Sequence, residues 1–209
     1  MRLRTLNLPV AALAVFTLLA CGKHDQEAGG TAAGTEPAEP TVTAAPAPEP
    51  MAMGAMEAQT TLASTTDTDF SGTVRFVKEG AGLRVIADLR GIDQPGSHGL
   101  HVHETGDCSA HDFHTAGGHF NPANTPHGCP PGERHAGDFG NVEVAADGTV
   151  HFEQTTDQLS LDGPNSVVGK ALILHTGTDD CQTQPTGNSG DRLACGVVQM
   201  GGAGAAPLQ

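Results

Sequence analysis

Short runs in which apolar and polar residues alternate constrain the fold of this chain more than any other feature. In the run 83–90, one face of an extended strand carries Leu83, Val85, Ala87 and Leu89, and the other carries Arg84, Ile86, Asp88 and Arg90. The same period of two recurs in three more runs, at Val74/Phe76, Val142/Val144 and Val150/Phe152. No long segment has the 3.6-residue period of an amphipathic helix. The chain is therefore predicted to be all-β, an antiparallel sandwich or barrel of short strands.

Turns and loops take up much of the chain. Its 209 residues include 28 Gly and 14 Pro, which favour turns. The segment Ala146-Asp147-Gly148 predicts a hairpin between two of the short runs. Two long segments, 104–139 and 176–193, break the alternation, and loops of this length inside a compact domain are usually functional.

The N-terminal third has the composition of an exported leader followed by a tether. Arg2 and Arg4 precede an apolar stretch, 8–20, that is too short to span a bilayer comfortably, so residues 1–20 are predicted to be a signal peptide. Residues 21–59 are rich in Ala, Pro, Thr, Glu and Gly, which predicts a disordered tether. One domain is expected over 60–201, followed by a short C-terminal tail, 202–209.

The junction between leader and tether predicts a membrane anchor. Leu18-Leu19-Ala20-Cys21 resembles a bacterial lipobox, in which the cysteine is acylated and becomes the first residue of the mature protein. Lipidation of Cys21 would attach the chain to a membrane of the periplasm or cell envelope. Gly22, rather than Asp, follows the cysteine, which resembles the outer-membrane sorting signal of Gram-negative lipoproteins. The alternative is ordinary cleavage, with Cys21 incidental.

Charge and cysteine count restrict the partners and the compartment. The formal net charge of -14 excludes nucleic acid and anionic membrane surfaces as partners bound through charge alone. Apart from Cys21, four cysteines remain, an even number that is compatible with two disulfides in an oxidising compartment.

Six histidines and one aspartate have spacings typical of a two-metal site. His101 and His103 form a His-x-His pair, whose side chains share one face of a strand. The remaining candidates are His119, His127, His135, Asp138 and His175. Four imidazoles suit a redox-active copper, and a His/Asp tetrahedron suits zinc. Seven ligands are one short of two four-coordinate sites, so one histidine serving both metals would complete them.

Four motifs around these residues resemble a single family. They are Gly99-Leu-His-Val-His-Glu-Thr-Gly-Asp-Cys108, Gly117-Gly-His-Phe-Asn-Pro122, Glu133-Arg-His-Ala-Gly-Asp-Phe-Gly-Asn141 and Gly187-Asn-Ser-Gly-Asp-Arg-Leu-Ala-Cys-Gly196. With them, the segment from about Leu62 to Met200 is similar to the copper,zinc superoxide dismutases of the bacterial periplasmic type. A lone His-x-His would be weak evidence, whereas four motifs in the family's order are specific.

The resemblance implies a fold, two metals and a reaction. The fold would be an eight-stranded antiparallel Greek-key barrel, an immunoglobulin-like sandwich. Copper would be held by His101, His103, His119 and His175, and zinc by His119, His127, His135 and Asp138. His119 would bridge the two metals. A Cu(II)/Cu(I) cycle would convert superoxide to oxygen and hydrogen peroxide, with His119 supplying a proton for peroxide release.

The resemblance also implies roles for three residues beside the metals. Asp179 matches the carboxylate that would bond the outer nitrogens of His101 and His127, although the adjacent Asp180 leaves the register open by one residue. Arg192 matches the arginine that attracts superoxide, and Thr186 matches the residue that narrows the channel. Residues 182–191 contain no lysine, so the lysine-based steering of the better-known eukaryotic enzymes is not provided by this segment.

Two disulfides are predicted. Cys108 and Cys195 match the family bridge that anchors the metal-bearing loop to the barrel. If Asp179 bonds His127, then Cys129 and Cys181 each lie two residues beyond one of these partners, and their backbones would come within bridging distance. The alternatives are two free thiols, or Cys129 as an additional zinc ligand.

Two rival functions remain on the same residues. A non-catalytic lipoprotein that binds copper or zinc would use the same barrel and ligands, and it is disfavoured because Arg192 accompanies all four copper ligands. A copper-only enzyme is disfavoured by the complete zinc set. The sequence is compatible with a homodimer and does not fix the oligomeric state.

Overall fold

The regular secondary structure in the described part of the chain is almost entirely β-strand. A computed structural model describes residues 56–66 and 69–201, all within the second of two units, Pro50–Gln209. The strands in this part are β1 (Glu57–Ser64), β2 (Ser71–Glu79), β3 (Gly82–Arg90), β4 (Gly96–His103), β5 (Asp138–Val144), β6 (Val150–Thr156), β7 (Ala171–His175), β8 (Arg192–Val197) and β9 (Gln199–Met200). A 3₁₀ turn lies at His114–Ala116.

Eight of these strands form a nearly closed antiparallel barrel. Their order is β5-β4-β7-β8-β1-β2-β3-β6, and the two-residue β9 pairs with β1 beside this path. The connections β3–β4 and β6–β7 join strands that are not neighbours, which is the Greek-key pattern. Strand β1 joins the two halves, because its first part pairs with β2 while Ala63 and Ser64 pair with β8. The predicted eight-stranded Greek-key fold is confirmed.

The barrel interior holds the apolar faces that the sequence predicts. All four residues of the inward face of β3, Leu83, Val85, Ala87 and Leu89, are buried. On the outward face Ile86 is buried as well, and in register it lies between Arg75 of β2 and Glu153 of β6. The interior continues through Phe76, whose ring lies 6.5 Å from that of Phe139.

The turn at Ala146-Asp147-Gly148 forms, but its two strands diverge. The amide of Ala145 donates to the carbonyl of Thr149 at 2.9 Å, and Gly148 has a φ of 77°. Beyond the turn, β5 pairs with β4 and β6 pairs with β3. The predicted hairpin is therefore a corner between two sheets, and the barrel is least closed at this position.

The start of the domain differs slightly from the prediction. Strand β1 begins at Glu57, so the last three residues assigned to the tether belong to the barrel. Ala58 faces inward and is fully buried, and Thr60 and Leu62 continue that face, which explains why the strand extends to this point. The predicted signal peptide, Cys21, the rest of the tether and the 202–209 tail lie outside the described residues. No helix within the described ranges is long and apolar enough to cross a membrane.

Two loops cover the outer face of β4, β7 and β8. We call residues 104–137, between β4 and β5, the long loop, and residues 176–191, between β7 and β8, the short loop. The long loop buries Phe113 and Ala116 in a second apolar cluster against the outward residues Ala171, Ile173 and Cys195. This cluster explains why β7 is buried on both faces, and it fixes the loop that carries most of the predicted metal ligands.

Truncating Phe76 tests the assignment of the interior. We expect Phe76→Ala to lower the free energy of unfolding by about 3–5 kcal/mol, since it removes a fully buried ring and leaves a cavity. Denaturant unfolding of the metal-loaded protein measures this loss. Met200→Ala, at an exposed position, is the matched control and should change stability by less than about 0.5 kcal/mol. A loss below about 1 kcal/mol for Phe76→Ala would contradict the assigned core.

Candidate metal centre

Strand β4 supplies two of the candidate ligands from its outward face. Leu100 and Val102 point into the barrel core, while His101 and His103 alternate with them and face the loops. Both histidines are fully buried, because the long and short loops cover this side of the strand. Strand β4 is therefore buried on both faces: its inward face packs in the barrel core, and its outward face lies under the two loops.

Four imidazoles converge outside β4 and β7. His175 ends β7, which pairs with β4, and His119 forms an isolated bridge with His103. Nε2 of His103 lies 3.4 Å from Nε2 of His175, and the ring centroids of His101 and His119 are 4.1 Å apart. The four residues could hold one metal ion, with a ligand atom of each within 4.8 Å of the others.

A second group shares His119 and gathers around one carboxylate. Nδ1 of His119, His127 and His135 lies 2.8, 2.9 and 3.3 Å from the Asp138 carboxylate. These four residues form another group that could hold a metal ion. His119 is common to both groups, so the structure brings together the two sets that the sequence predicts.

The outer nitrogens of three histidines are held in place by hydrogen bonds. Nε2 of His101 donates to Asp179 Oδ2 at 2.8 Å, Nδ1 of His103 to the Gly117 carbonyl at 2.9 Å, and Nδ1 of His175 to the Gly190 carbonyl at 3.3 Å. These bonds select the tautomer and aim the opposite nitrogen of each ring at the centre.

Buried nitrogen atoms without partners show that the residues fit metal ions. Nδ1 of His101, Nε2 of His119, Nδ1 of His127 and Nδ1 of His135 are buried and make no hydrogen bond, although those of His127 and His135 lie close to the Asp138 carboxylate. Leaving such an atom unsatisfied costs about 1–3 kcal/mol, and native proteins rarely contain several together. Coordination of two cations would satisfy all four atoms, and imidazole nitrogen is a preferred donor for both copper and zinc.

Burial favours the neutral form of four of the imidazoles, which is the form that binds a metal ion. Burial lowers the pKa of His175 to about 4, and burial also lowers the pKa values of His101, His103 and His135. Burial acts to raise the pKa of Asp138, but its hydrogen bond to His119 and the neighbouring imidazoles more than offset this, so its pKa is lowered. At neutral pH these four imidazoles are therefore neutral and the Asp138 carboxylate is ionised, which suits metal binding.

Asp179, rather than Asp180, links the two groups. Its oxygens accept hydrogen bonds from Nε2 of His101 at 2.8 Å and from Nε2 of His127 at 2.9 Å. Gly187, with a φ of 66°, passes so close that a Cβ at this position would clash with both Asp179 and His127. Asp180 is exposed and bonds within its own loop, to Thr183.

Arg192 and Thr186 occupy different surroundings. The half-buried guanidinium of Arg192 donates to the carbonyls of Phe113 and Gly117 at 2.5 and 2.6 Å. Burial lowers the pKa of Arg192, while the charge of Asp112 acts to raise it. The Gly117 carbonyl also accepts the hydrogen bond from His103, so Arg192 and a member of the four-histidine group share one acceptor. Thr186 is exposed, and its carbonyl accepts a hydrogen bond from Ser189.

Both predicted disulfides are present. Cys108 is joined to Cys195 across 87 residues, which ties the start of the long loop to β8. Cys129 is joined to Cys181 across 52 residues, with a Cα–Cα distance of 5.2 Å, and links the long loop to the short loop. In this state Cys129 is therefore neither a free thiol nor a thiolate ligand of zinc.

Three side chains support the centre without a ligand role, and sequence reasoning did not single them out. The amide of Asn141 pairs with the backbone N–H and C=O of Asp179 at 2.7 and 2.9 Å, and that of Gln184 pairs with those of His127. His98 is buried between the carbonyls of Gln94 and His175. Asn141 is the last residue of the motif 133–141, which is a weak sequence signal for a role at the centre. Gln184 lies in a polar loop, and no motif marks it.

Comparison with known proteins agrees with this geometry. Residues 70–198 match the family described as Copper/zinc superoxide dismutase (SODC). A superoxide dismutase [Cu-Zn] of Onchocerca volvulus is 41% identical over 145 residues, which cover 64% of this chain and 90% of that protein. The crystal structure of the clock protein EA4 is similar with a TM-score of 0.63 and 35% identity, covering 69% of this chain and 94% of that one.

The chain belongs to the copper/zinc superoxide dismutase family. It is accordingly an oxidoreductase that dismutes superoxide, and its cofactors are copper and zinc, which the two residue groups fit.

Removing His119 tests whether the two groups share a ligand. We expect His119→Ala to lose dismutase activity and to bind both copper and zinc poorly, because the side chain belongs to both groups. Elemental analysis alongside a dismutation assay measures this. His151→Ala, which removes an exposed histidine paired with Asp88, is the matched control and should keep both metals. Full activity together with a normal zinc content in His119→Ala would refute the shared ligand.

Proposed function

We propose that this chain dismutes superoxide at a copper ion held by His101, His103, His119 and His175, beside a zinc ion held by His119, His127, His135 and Asp138. The observation that carries the assignment is that a set of four imidazoles and a set with three imidazoles and a carboxylate share one buried histidine. The all-histidine set suits a metal that changes oxidation state, and the set with the carboxylate suits zinc. Copper, when bound, supplies one-electron chemistry by alternating between Cu(II) and Cu(I).

His119 is proposed to carry a proton as well as to bridge the metals. Conversion of two superoxide ions to oxygen and hydrogen peroxide consumes two protons. Nε2 of His119 is buried, has no partner among the described residues and faces the four-histidine group. This atom can hold one proton during the cycle and pass it to the reduced oxygen species. Nδ1 of the same ring stays directed at Asp138, 2.8 Å away, so the ring keeps its place.

Arg192 is proposed to capture the substrate anion. Its guanidinium is a permanent cation with a fork of donors, which suits a small anion. The bonds to Phe113 and Gly117 hold it in position next to His103. Residues 182–191 carry neither Lys nor Arg, so this part of the short loop adds no positive charge. Asp112, in the long loop, adds a negative charge near Arg192. Capture should therefore depend strongly on Arg192. Thr186 is proposed to limit the width of the channel.

A non-catalytic store of copper and zinc is the rival function that the sequence left on these residues, and family membership disfavours it. It would account for the ligands and the disulfides. It would not account for a half-buried arginine whose donors are directed to the carbonyl that also orients a copper ligand. Desolvating a guanidinium costs free energy, which is explained when the charge acts on a substrate.

We also propose that the enzyme is of the bacterial periplasmic type and is anchored to a membrane of the cell envelope by a lipid on Cys21. The support is the lipobox-like Leu18-Leu19-Ala20-Cys21 and the tether composition of the residues after it. An oxidising compartment would preserve both disulfides.

Reversing the charge of Arg192 tests the capture role. We expect Arg192→Glu to lower the second-order rate constant roughly tenfold or more, with little change in copper and zinc content, since it reverses the charge at the channel. Pulse radiolysis and metal analysis measure both quantities. Arg84→Glu is the matched control: it makes the same change in net charge at a partly exposed position on β3, where the arginine pairs with Glu153. A loss of copper that parallels the loss of rate would show that Arg192 is structural.

Replacing Cys21 tests the anchor. We expect Cys21→Ser to move the protein from the membrane fraction to the soluble fraction, or to leave it unprocessed, because serine has no thiol to form the thioether that carries the lipid. Fractionation and mass spectrometry of the mature N-terminus measure this. Ala28→Ser, in the predicted tether, keeps the lipobox and should stay in the membrane fraction. Unchanged membrane association of Cys21→Ser would contradict lipidation while leaving the dismutase assignment intact.

A further inference from the structure

We propose that Gln184 is a positioning residue for the metal ligand His127, and that it acts together with the Cys129–Cys181 bridge to control the release of zinc. The inference rests on the proposed role of His127 as a zinc ligand. It assigns to an exposed residue of the short loop a function in the metal site of the long loop.

The amide of Gln184 binds both backbone groups of His127. The His127 N–H donates to Oε1 of Gln184 at 2.7 Å, and Nε2 of Gln184 donates to the His127 carbonyl at 2.9 Å. One side chain thus makes the pair of bonds that a neighbouring β-strand would make. His127 lies within the long loop, outside every strand of the described chain, so this pair replaces the support that a sheet would give.

The ring of His127 is fixed separately from its backbone. Nε2 is bonded to Asp179 at 2.9 Å, and Nδ1 lies 2.9 Å from the Asp138 carboxylate. These contacts set the rotation of the ring but leave the position of its Cα undetermined. Gln184 supplies that second constraint, since it holds the peptide groups on either side of the Cα. A ligand stays in place only when its ring orientation and the position of its Cα are both fixed.

The disulfide joins the same two segments. Cys129 lies two residues after His127, and Cys181 lies between Asp179 and Gln184. Its amide also donates to Asp179 Oδ1 at 2.7 Å. Segments 127–129 and 179–184 are therefore joined by a covalent bond and by the hydrogen bonds of Asp179 and Gln184. We call this set of contacts the latch.

Two parts of the latch, the Cys129–Cys181 disulfide and the Gln184 amide, should compensate for each other. Gln184 is exposed, so water competes for its hydrogen bonds and each contributes little by itself. While the bridge is closed, it keeps the segments together even when the amide is removed. Without the bridge, the amide and Asp179 alone resist separation of the loops. The effect of removing Gln184 should therefore depend on the state of the bridge, which is a coupling that a double-mutant cycle detects.

The test is the rate of zinc loss from the metal-loaded protein into a chromogenic chelator. Gln184→Ala is compared with its parent in two backgrounds, the native one and one with Cys129→Ser and Cys181→Ser. We expect release about threefold faster than the parent with the bridge and about tenfold faster without it. Gln182→Ala, two residues earlier in the same exposed segment, is the matched control and should release zinc at the parent rate in both backgrounds.

A spectroscopic measurement separates positioning from a general loss of stability. Cobalt(II) in the zinc site reports ligand geometry through its visible bands, and these should shift in Gln184→Ala but not in Gln182→Ala. Gln184→Glu keeps the acceptor for the His127 N–H and loses the donor to the carbonyl, so it should fall between the parent and Gln184→Ala in both the bands and the release rate.

Each outcome decides one claim. Release rates and cobalt bands of Gln184→Ala that match those of Gln182→Ala in both backgrounds would overturn the positioning role. The same fold-change with and without the bridge would overturn the coupling. His127→Ala tests the premise: zinc retention and cobalt bands unchanged in that variant would mean that His127 is not a ligand, a failure of the proposed function that is distinct from either result on Gln184.

Discussion

The buried carboxylate of Asp179 accepts one hydrogen bond from His101 on β4 and another from His127 in the long loop. The short loop, the long loop and the barrel wall meet at these two bonds. The bonds also fix which nitrogen of each ring points inward, so the geometry of both metal groups depends on a residue that binds neither metal. Gly187 is required beside them because a side chain there would enter the space between the two partners.

Side-chain amides replace sheet hydrogen bonds where the loops leave the barrel. Asn141 pairs with both backbone groups of Asp179, Gln184 with those of His127, and Asn121 with those of Thr125. In these pairs each amide uses one N–H donor and its carbonyl acceptor, which lie in one plane as in a peptide group. Long loops without strands of their own can therefore be held as firmly as strands at the few residues where position matters.

The alternation of residues was enough to predict an all-β fold and the inward face of β3, because successive side chains of a pleated strand point to opposite faces. The divergence of β5 and β6 after their turn could not be predicted, since it follows from which sheet edge each strand joins. Spacing and family motifs together predicted the two ligand groups and Asp179. Gln184, Asn141 and His98 were missed because their partners are backbone groups, whose positions depend on the loop conformation and leave no residue-specific signal.

The two disulfides are nested along the chain, so that the loop closed by one lies within the loop closed by the other. Cys108 and Cys195 enclose both Cys129 and Cys181. Any single backbone cleavage between Cys108 and Cys195 consequently leaves the two fragments covalently joined. A cleavage between Cys129 and Cys181 leaves them joined by both bridges. A protease that nicks the exposed part of the short loop, or of the long loop after Cys108, would thus produce a two-piece molecule in which every candidate ligand remains attached to the barrel.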